Sequence, residues 1–410
     1  MNASIRRLKY ACYTTNLSMS VIAALSPLLF MTFRSLYGIS YSLLGLLVLI
    51  GFSTQLSIDL IFSFFSHKFP IPAVVKSIPW MTVVGLLIYA LWPFFFPDAV
   101  YGGLVLGTVV FSLSGGLGEV LISPVIAALP ADDPDREMSK LHSVFAWGVV
   151  GVVIVSTLFL LAIGSEHWQW LALLFALVPL LSGLLFTGTP IPAMATPEKA
   201  TGALDQLKTP GLWLCVLAIF LGGSAECTMS QWCSGYLERA LGIDKVWGDI
   251  FGVALFSAAL GLGRSLYAKR GRHIGRVLVW GAVGASLCYL TAAVVPIPVV
   301  GLLACAFTGF CTSMLWPGNL VVASSRYPAG GVFIYALMAA GGDLGASVGP
   351  QLVGIVTDAV IANPTAAALA QTLSLAPEQL GMRLGLLVGA LFPLAAIPLY
   401  IRLKNTANNE

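Results

Sequence analysis

The stretch GTPIPAMATPEKATGALDQLKT, residues 188–209, is the only long polar run in the middle of a chain that is otherwise apolar almost throughout. Of 410 residues, 58% are hydrophobic and 10% charged, against roughly a quarter charged in a soluble domain. That balance excludes a soluble enzyme and a disordered chain, and a net charge of +3 is too small to call for a nucleic-acid partner. Outward from 188–209, breaks at Pro, Gly and charge clusters divide the sequence into stretches of the roughly 20 apolar residues that a membrane-crossing helix needs. Six precede the linker (10–33, 42–66, 73–96, 101–128, 140–163, 167–187) and six follow it (211–237, 247–268, 275–296, 298–325, 330–360, 382–402). The expected fold is therefore all-α and membrane-embedded, with twelve transmembrane helices. Residues 1–187 form an N-terminal six-helix bundle, 188–209 a cytoplasmic linker and 210–410 a C-terminal six-helix bundle.

An even number of spans puts both termini on one side. With the termini inside, seventeen of the 21 Lys and Arg residues lie at the cytoplasmic face and only Arg34, Arg239, Lys245 and Arg383 outside, which fixes the orientation. The seven Cys lie in apolar stretches, with no CxxC, and read as small packing residues rather than a disulfide framework or a metal site. The first apolar stretch lacks a signal-type cleavage site and is expected to remain in the mature protein.

The two halves resemble each other. LSPLLFMTFRSLYGIS (25–40) aligns without gaps on MSQWCSGYLERALGID (229–244), sharing Ser26/Ser230 and the Gly-Ile pairs 38–39 and 242–243. Gly116 and Pro124 of the fourth span stand eight apart, as do Gly309 and Pro317 of the tenth, so that Glu119 corresponds to Thr312. A 6+linker+6 layout with such echoes implies two parallel repeats, one of the arrangements of secondary transporters.

Ionisable groups at membrane depth are costly and each needs a reason. Glu119, in GGLGEVLISP (115–124), shares a helical face with Ser112, Gly115, Gly116 and Ser123, and that face is expected to look into the bundle. Glu226, in LGGSAECTMSQW (221–232), shares its face with Gly222, Gly223, Ser230 and Cys233, and Asp343, in AAGGDLGASVGP (339–350), with Tyr335, Ser347 and Gln351. These three are the coupling or protonation candidates; a structural reading, a buried hydrogen bond or a pairing with a donor such as His142, competes for each. Three deep carboxylates with no equally deep Lys or Arg leave a net negative cavity that can hold H⁺ or Na⁺, Na⁺ at Glu119 being one option, and that favours a neutral polar or cationic solute over an anion. Trp147, Trp232 and Trp316 offer flat faces for stacking on sugar rings; Gln231 and Gln351, with Tyr335, complete the substrate-binding set, and Asn16, Gln55 and Asn319 could add hydrogen bonds. Packing is the competing reading for every one of these aromatics. Asp59, two turns from the cytoplasmic end of the second span, reads as a gating or structural acid. Arg264 and Arg272, in the basic turn GRSLYAKRGRHIGRVL (263–278), read as gating cations or as plain topology signals. There is no Walker A, HExxH or GxSxG sequence, so the chain is not read as an enzyme and its energy must come from a gradient.

With the layout, the linker and the basic inter-helix turns in place, the whole chain resembles the major facilitator superfamily. GGLGEVLISP resembles the fourth helix of its fucose-permease (fucose:proton symporter) branch, and GLGRSLYAKRGRHIGRVL resembles that branch's Gly-Arg stretch after helix eight. The resemblance implies Glu119 as the protonation residue. Two departures stand out: Ser63 and His67 occupy places where the superfamily's loop motif after helix two has Gly and Asp, and the first span carries no acid, a place that Glu226 could fill. The expected activity is H⁺- or Na⁺-coupled symport of a small neutral polar solute, a sugar being one candidate, by alternating access. A proton-coupled exporter of hydrophobic or cationic compounds and a non-transporting sensor on the same scaffold are the competing readings. The expected setting is the cell (inner) membrane, as a monomer, with a small-molecule substrate and lipid as partners and no cofactor beyond the coupling ion.

Overall fold

The computed structural model describes residues 3–65, 68–129, 134–192, 208–270, 273–327 and 331–406. The expected linker therefore lies largely outside the described residues. Among these there is no strand, and the chain is a succession of helices: α1 (Ala3–Tyr37), α2 (Tyr41–Phe65), α3 (Ile71–Phe95), α4 (Val100–Ala127), α5 (Pro134–Ile163) and α6 (Trp168–Phe186), then α7 (Pro210–Arg239), α8 (Leu255–Arg270), α9 (Ile274–Val294), α10 (Pro298–Thr312), α11 (Pro317–Arg326), α12 (Gly331–Ala362), α13 (Pro364–Thr372) and α14 (Pro377–Thr406). Eleven helical stretches among the described residues are long and apolar enough to cross a membrane, with α10 and α11 together forming one of them; the apolar part of α5, Trp147–Ile163, is shorter. Three features differ from the sequence reading. The tenth span is interrupted between α10 and α11, α8 is preceded by a short helix and a π-helical segment (Asp249–Ala254), and α13 occupies what reads from sequence as a loop.

Contacts divide the chain into two units, Met1–Leu29 with Ser53–Ala200, and Phe30–Phe52 with Thr201–Glu410. The first unit is built round Leu8, Val75, Leu121, Val125 and Phe186. It is pinned by hydroxyls and amides that reach across helices: Thr15 and Ser182 are 2.7 Å apart, Thr82 and Ser114 2.7 Å, and Asn16 donates to the Leu141 carbonyl at 2.6 Å. Arg7 donates to the Leu184 and Leu185 carbonyls at the end of α6, a cation placed where the helix dipole is negative.

In the second unit, α7 and α12 approach closely along small residues. A Cβ on Gly345 would lie 2.1 Å from the Phe220 carbonyl oxygen, so only glycine lets the two backbones meet, as in other small-residue helix contacts. The same unit contains the end of α1, the turn and the start of α2 (Phe30–Phe52), and every amide of the first turn of α2 has a partner there. Tyr41 N and Ser42 N donate to the Asp358 carboxylate at 3.1 and 2.6 Å, Leu43 N to Ser40 Oγ, and Leu44 N to the Ser40 carbonyl. The first three are donors that a helix start would otherwise leave orphaned, and the fourth makes the first regular bond of the helix. Arg34 pairs with Glu378 at 3.2 Å and lies 4.0 Å over the Tyr41 ring, whose hydroxyl donates to the same carboxylate.

The aligned repeat survives as geometry. Gly38 and Gly242 both have φ +65°, the left-handed conformation that ends a helix and that glycine adopts without a Cβ penalty. Two residues on, Ser40 and Asp244 each accept a hydrogen bond from the start of the next helix.

Candidate functional site

The interruption of the tenth span begins with one residue. Pro317 has no N–H, and in a continuous helix it would face the carbonyl four residues back, that of Ser313. The chain instead tightens into turns, Leu315 N donating to the Thr312 carbonyl at 2.8 Å and Gly318 N to Met314 at 2.8 Å. The Ser313 carbonyl, released from the helix, accepts from Arg264 Nε of α8 at 3.1 Å. Gly263 makes the approach possible, since a Cβ there would lie 2.3 Å from Ser313 Oγ.

Nη2 of the same guanidinium donates to Glu226 Oε1 of α7 at 3.0 Å. Glu226 is the more enclosed partner, its side chain 14% exposed against 41% for Arg264. Its second oxygen, Oε2, is buried with no hydrogen-bond partner among the described residues. Arg264 thus pairs with one of the carboxylates, which corrects the expectation of deep acids without a cation. Asp343 is buried on α12. Trp316, at the break, packs its ring over Gly223 and Gly342, 3.0 and 2.7 Å from where their Cβ atoms would be. The broken helix thus joins Glu226 and Arg264 within the second unit, with Trp316 packed over Gly223 and Gly342, the chain neighbour of Asp343.

The remaining expected residues are scattered. Glu119 is exposed on α4, while Ser112, Gly115 and Gly116 are buried, the glycines against Gln55 and Ile58 of α2. The small-residue face is therefore consumed by α2, and the carboxylate emerges at its edge instead of lying within the unit's packing. Asp59 is buried in α2. Trp232 is 1% exposed, donates its indole N–H to the Pro350 carbonyl at 2.8 Å and packs on Phe30 and Tyr41; with face and N–H both occupied, it is a packing residue, not a sugar platform. Trp147 is 73% exposed and lines a shallow groove of about 480 Å³ with Leu17, Val21, Val152, Phe175 and Val178, which holds no match for hydroxyls. Gln231 is half-buried, and Gln351, also half-buried, has a buried Oε1 without a partner, close to Gly45 of α2. Asn319 donates to the Ala218 and Leu315 carbonyls and to the Tyr400 hydroxyl, and is thereby committed to holding α11 against α7 and α14. Arg272 and the side chain of Tyr335 lie outside the described residues. No group of three or more His, Cys, Asp or Glu among the described residues could hold a metal, and all seven cysteines are free.

Sequence reasoning missed a second buried cluster. Asp249, at the start of the π-helical segment, accepts from Ser234 Oγ and pairs with Lys245 at 3.0 Å. It also missed the Arg34–Glu378–Tyr41 and Asp358 contacts. Both sit at span ends, where polar residues read as solvated loops.

A family model, described as the Major Facilitator Superfamily, matches residues 11–350. The chain belongs to the major facilitator superfamily. This superfamily is one of transporters, not enzymes, and its members span membranes many times. No curated protein matches the transporter in sequence. Its fold is similar to that of a solved D-xylose-proton symporter (17% identity, covering 97% of this chain and 98% of that one, TM-score 0.67) and of the major facilitator transporter FucP in the outward conformation (16%, 96% and 99%, 0.59). It is also similar to an auto-inhibited peptide transporter of the POT family (13%, 98% and 97%, 0.70). At these identities the likeness speaks for the fold alone.

Proposed function

We propose that this major facilitator transporter is a cation-coupled symporter that imports a small polar solute by alternating access. In this reading it has twelve spans, both termini cytoplasmic, and acts as a monomer in the inner membrane with H⁺ as the coupling ion and no other cofactor. The observation that carries it is the Glu226–Arg264 pair at the break in the tenth span. Coupling needs an ionisable group whose best partner changes with conformation. Glu226 has one oxygen on Arg264 and one buried without a partner. A proton on Glu226 releases the arginine's Nη2, and the carbonyl of an interrupted helix, free to move with the break, holds its Nε. Asp343 and Glu119 are further carboxylates for H⁺ or Na⁺. One protein of similar fold is a D-xylose-proton symporter, which keeps symport and a sugar among the readings to be tried, alongside the peptide transporter of equal likeness. The preference for a neutral solute, however, rested on deep acids without a deep cation, and Arg264 withdraws that ground.

The test is solute-driven proton entry into proteoliposomes carrying a trapped pH dye, with Na⁺ present or absent. The wild type is expected to acidify the lumen on addition of its solute. Glu226→Gln is expected to bind the solute while moving no protons. Coupled uptake that is unchanged in both Glu226→Gln and Glu119→Gln would sink the reading.

A further inference from the structure

We infer that the solute carries a carboxylate and that it takes the place of the Glu226 carboxylate on Arg264, a deepening that rests on the coupling role proposed for that pair. Four observations point to this chemistry. A guanidinium presents several N–H donors in one plane and matches a carboxylate better than any neutral group does, and here one of them, Nη2, already donates to a carboxylate oxygen at 3.0 Å. Arg264 does not depend on Glu226 for its position, because Nε is held separately by the Ser313 carbonyl at 3.1 Å; when Glu226 departs, the guanidinium stays aimed. The arginine is the accessible member of the pair, 41% exposed against 14% for the glutamate, so an incoming anion meets the cation first. Trp316, seated on Gly223 and Gly342, is a flat apolar wall within one turn of both Glu226 and Asp343, suited to the carbon skeleton of a small acid.

The exchange balances. A solute RCOO⁻ and one proton enter; the proton goes to Glu226 and RCOO⁻ replaces it on Arg264, with no bond made or broken other than O–H. The charged group facing Glu226 among the described residues is Arg264 from α8. The charge of this site is the same before and after the exchange, one cation and one anion. A neutral solute arriving with a proton would instead leave the site one charge more positive, in a setting where uncompensated charge is costly.

The experiment uses the full-length purified protein and pairs of probes that differ only in the acid function, lactate against lactamide and gluconate against glucose. Binding is read by thermal shift and by tryptophan fluorescence, and proton uptake in weakly buffered solution. An acid of the panel is expected to bind, more tightly at lower pH, with uptake of about one proton per site, while its neutral partner does not bind. Because Arg264→Gln leaves Glu226 buried without its cation and could fail to fold, the double variant Glu226→Gln/Arg264→Gln is the decisive one. It is expected to lose affinity for the acid by on the order of tenfold to hundredfold. Glu226→Gln alone should keep acid binding and lose its proton uptake and pH dependence. Neutral probes binding as well as acids, no acid binding at all, or acid binding unchanged in the double variant would each overturn the proposal. Proton-coupled uptake of glucose that disappears in Glu226→Gln would overturn the carboxylate while leaving the coupling reading in place. Acid binding without proton uptake would overturn the exchange.

Discussion

The fourth and tenth spans carry the same sequence mark, a glycine and a proline eight residues apart, yet one is a single helix and the other is two. α4 runs from Val100 to Ala127 straight through position 124, whereas the chain around Pro317 parts into α10 and α11. A proline removes one hydrogen bond in both places. What differs is the fate of the carbonyl it orphans. In the tenth span the Ser313 carbonyl has Arg264 within 3.1 Å, delivered by a helix that Gly263 allows to come close. In an apolar surrounding, an unsatisfied carbonyl costs several kcal/mol, so opening a helix is affordable where a donor waits. The proline permits the break, and the arginine stabilises it.

The comparison can be attacked where it predicts the largest effect. Writing the fourth span's acid into the tenth, Thr312→Glu, places a carboxylate at a position that is fully buried and hydrogen-bonded within α10. It should destabilise the protein by on the order of 4 kcal/mol or more, seen as loss of monodisperse protein in detergent. The reverse exchange, Glu119→Thr, should shift stability by no more than about 0.5 kcal/mol because the side chain is exposed; a large loss of melting temperature would show that α4 depends on its acid. Next comes Arg264→Gln, which strands both the Glu226 carboxylate and the Ser313 carbonyl. About 2–3 kcal/mol of destabilisation is expected, less than for a fully buried pair because the arginine is partly exposed, and most of it should return when Glu226→Gln is added. Pro317→Ala restores an N–H that competes with Arg264 for the Ser313 carbonyl. Amide exchange across residues 313–318 should slow several-fold, while Pro124→Ala leaves the exchange of α4 close to that of the wild type. A further pair of variants tests the repeat itself. Gly38→Ala and Gly242→Ala each force a side chain into a left-handed conformation and should cost about 1 kcal/mol apiece, nearly equal because the two positions do the same work.

The sequence displayed the helices and the repeat because hydrophobic length and glycine placement are local properties. The same glycines at 38 and 242 that aligned by eye turn out to share a backbone angle. The break was half legible: Pro317 was on view, but its consequence depended on a donor 53 positions away in sequence, and that partner reads locally as one more cytoplasmic cation. Glu226 and Arg264 were each singled out, for unrelated reasons, and only three dimensions join them. Trp232 and Asn319 show the opposite failure. Their chemistry suits a ligand, and whether a tryptophan or an amide is free to use it depends on neighbours such as Pro350, Ala218 and Tyr400. The polar contacts at the outer ends of helices, among them Arg34 with Glu378, were invisible because each residue taken alone belongs in a loop.

The capping of α2 by Asp358 has a consequence for how the protein is made. The first turn of the second helix leaves the ribosome early, but the carboxylate that satisfies its amides follows 317 residues after Tyr41. At elongation rates of roughly 5–20 residues per second, those amides wait on the order of 15 s to a minute for their partner. Throughout that interval the hairpin's end must be hydrated or held by the insertion machinery. The hairpin can reach its final state only after most of the chain has been synthesised.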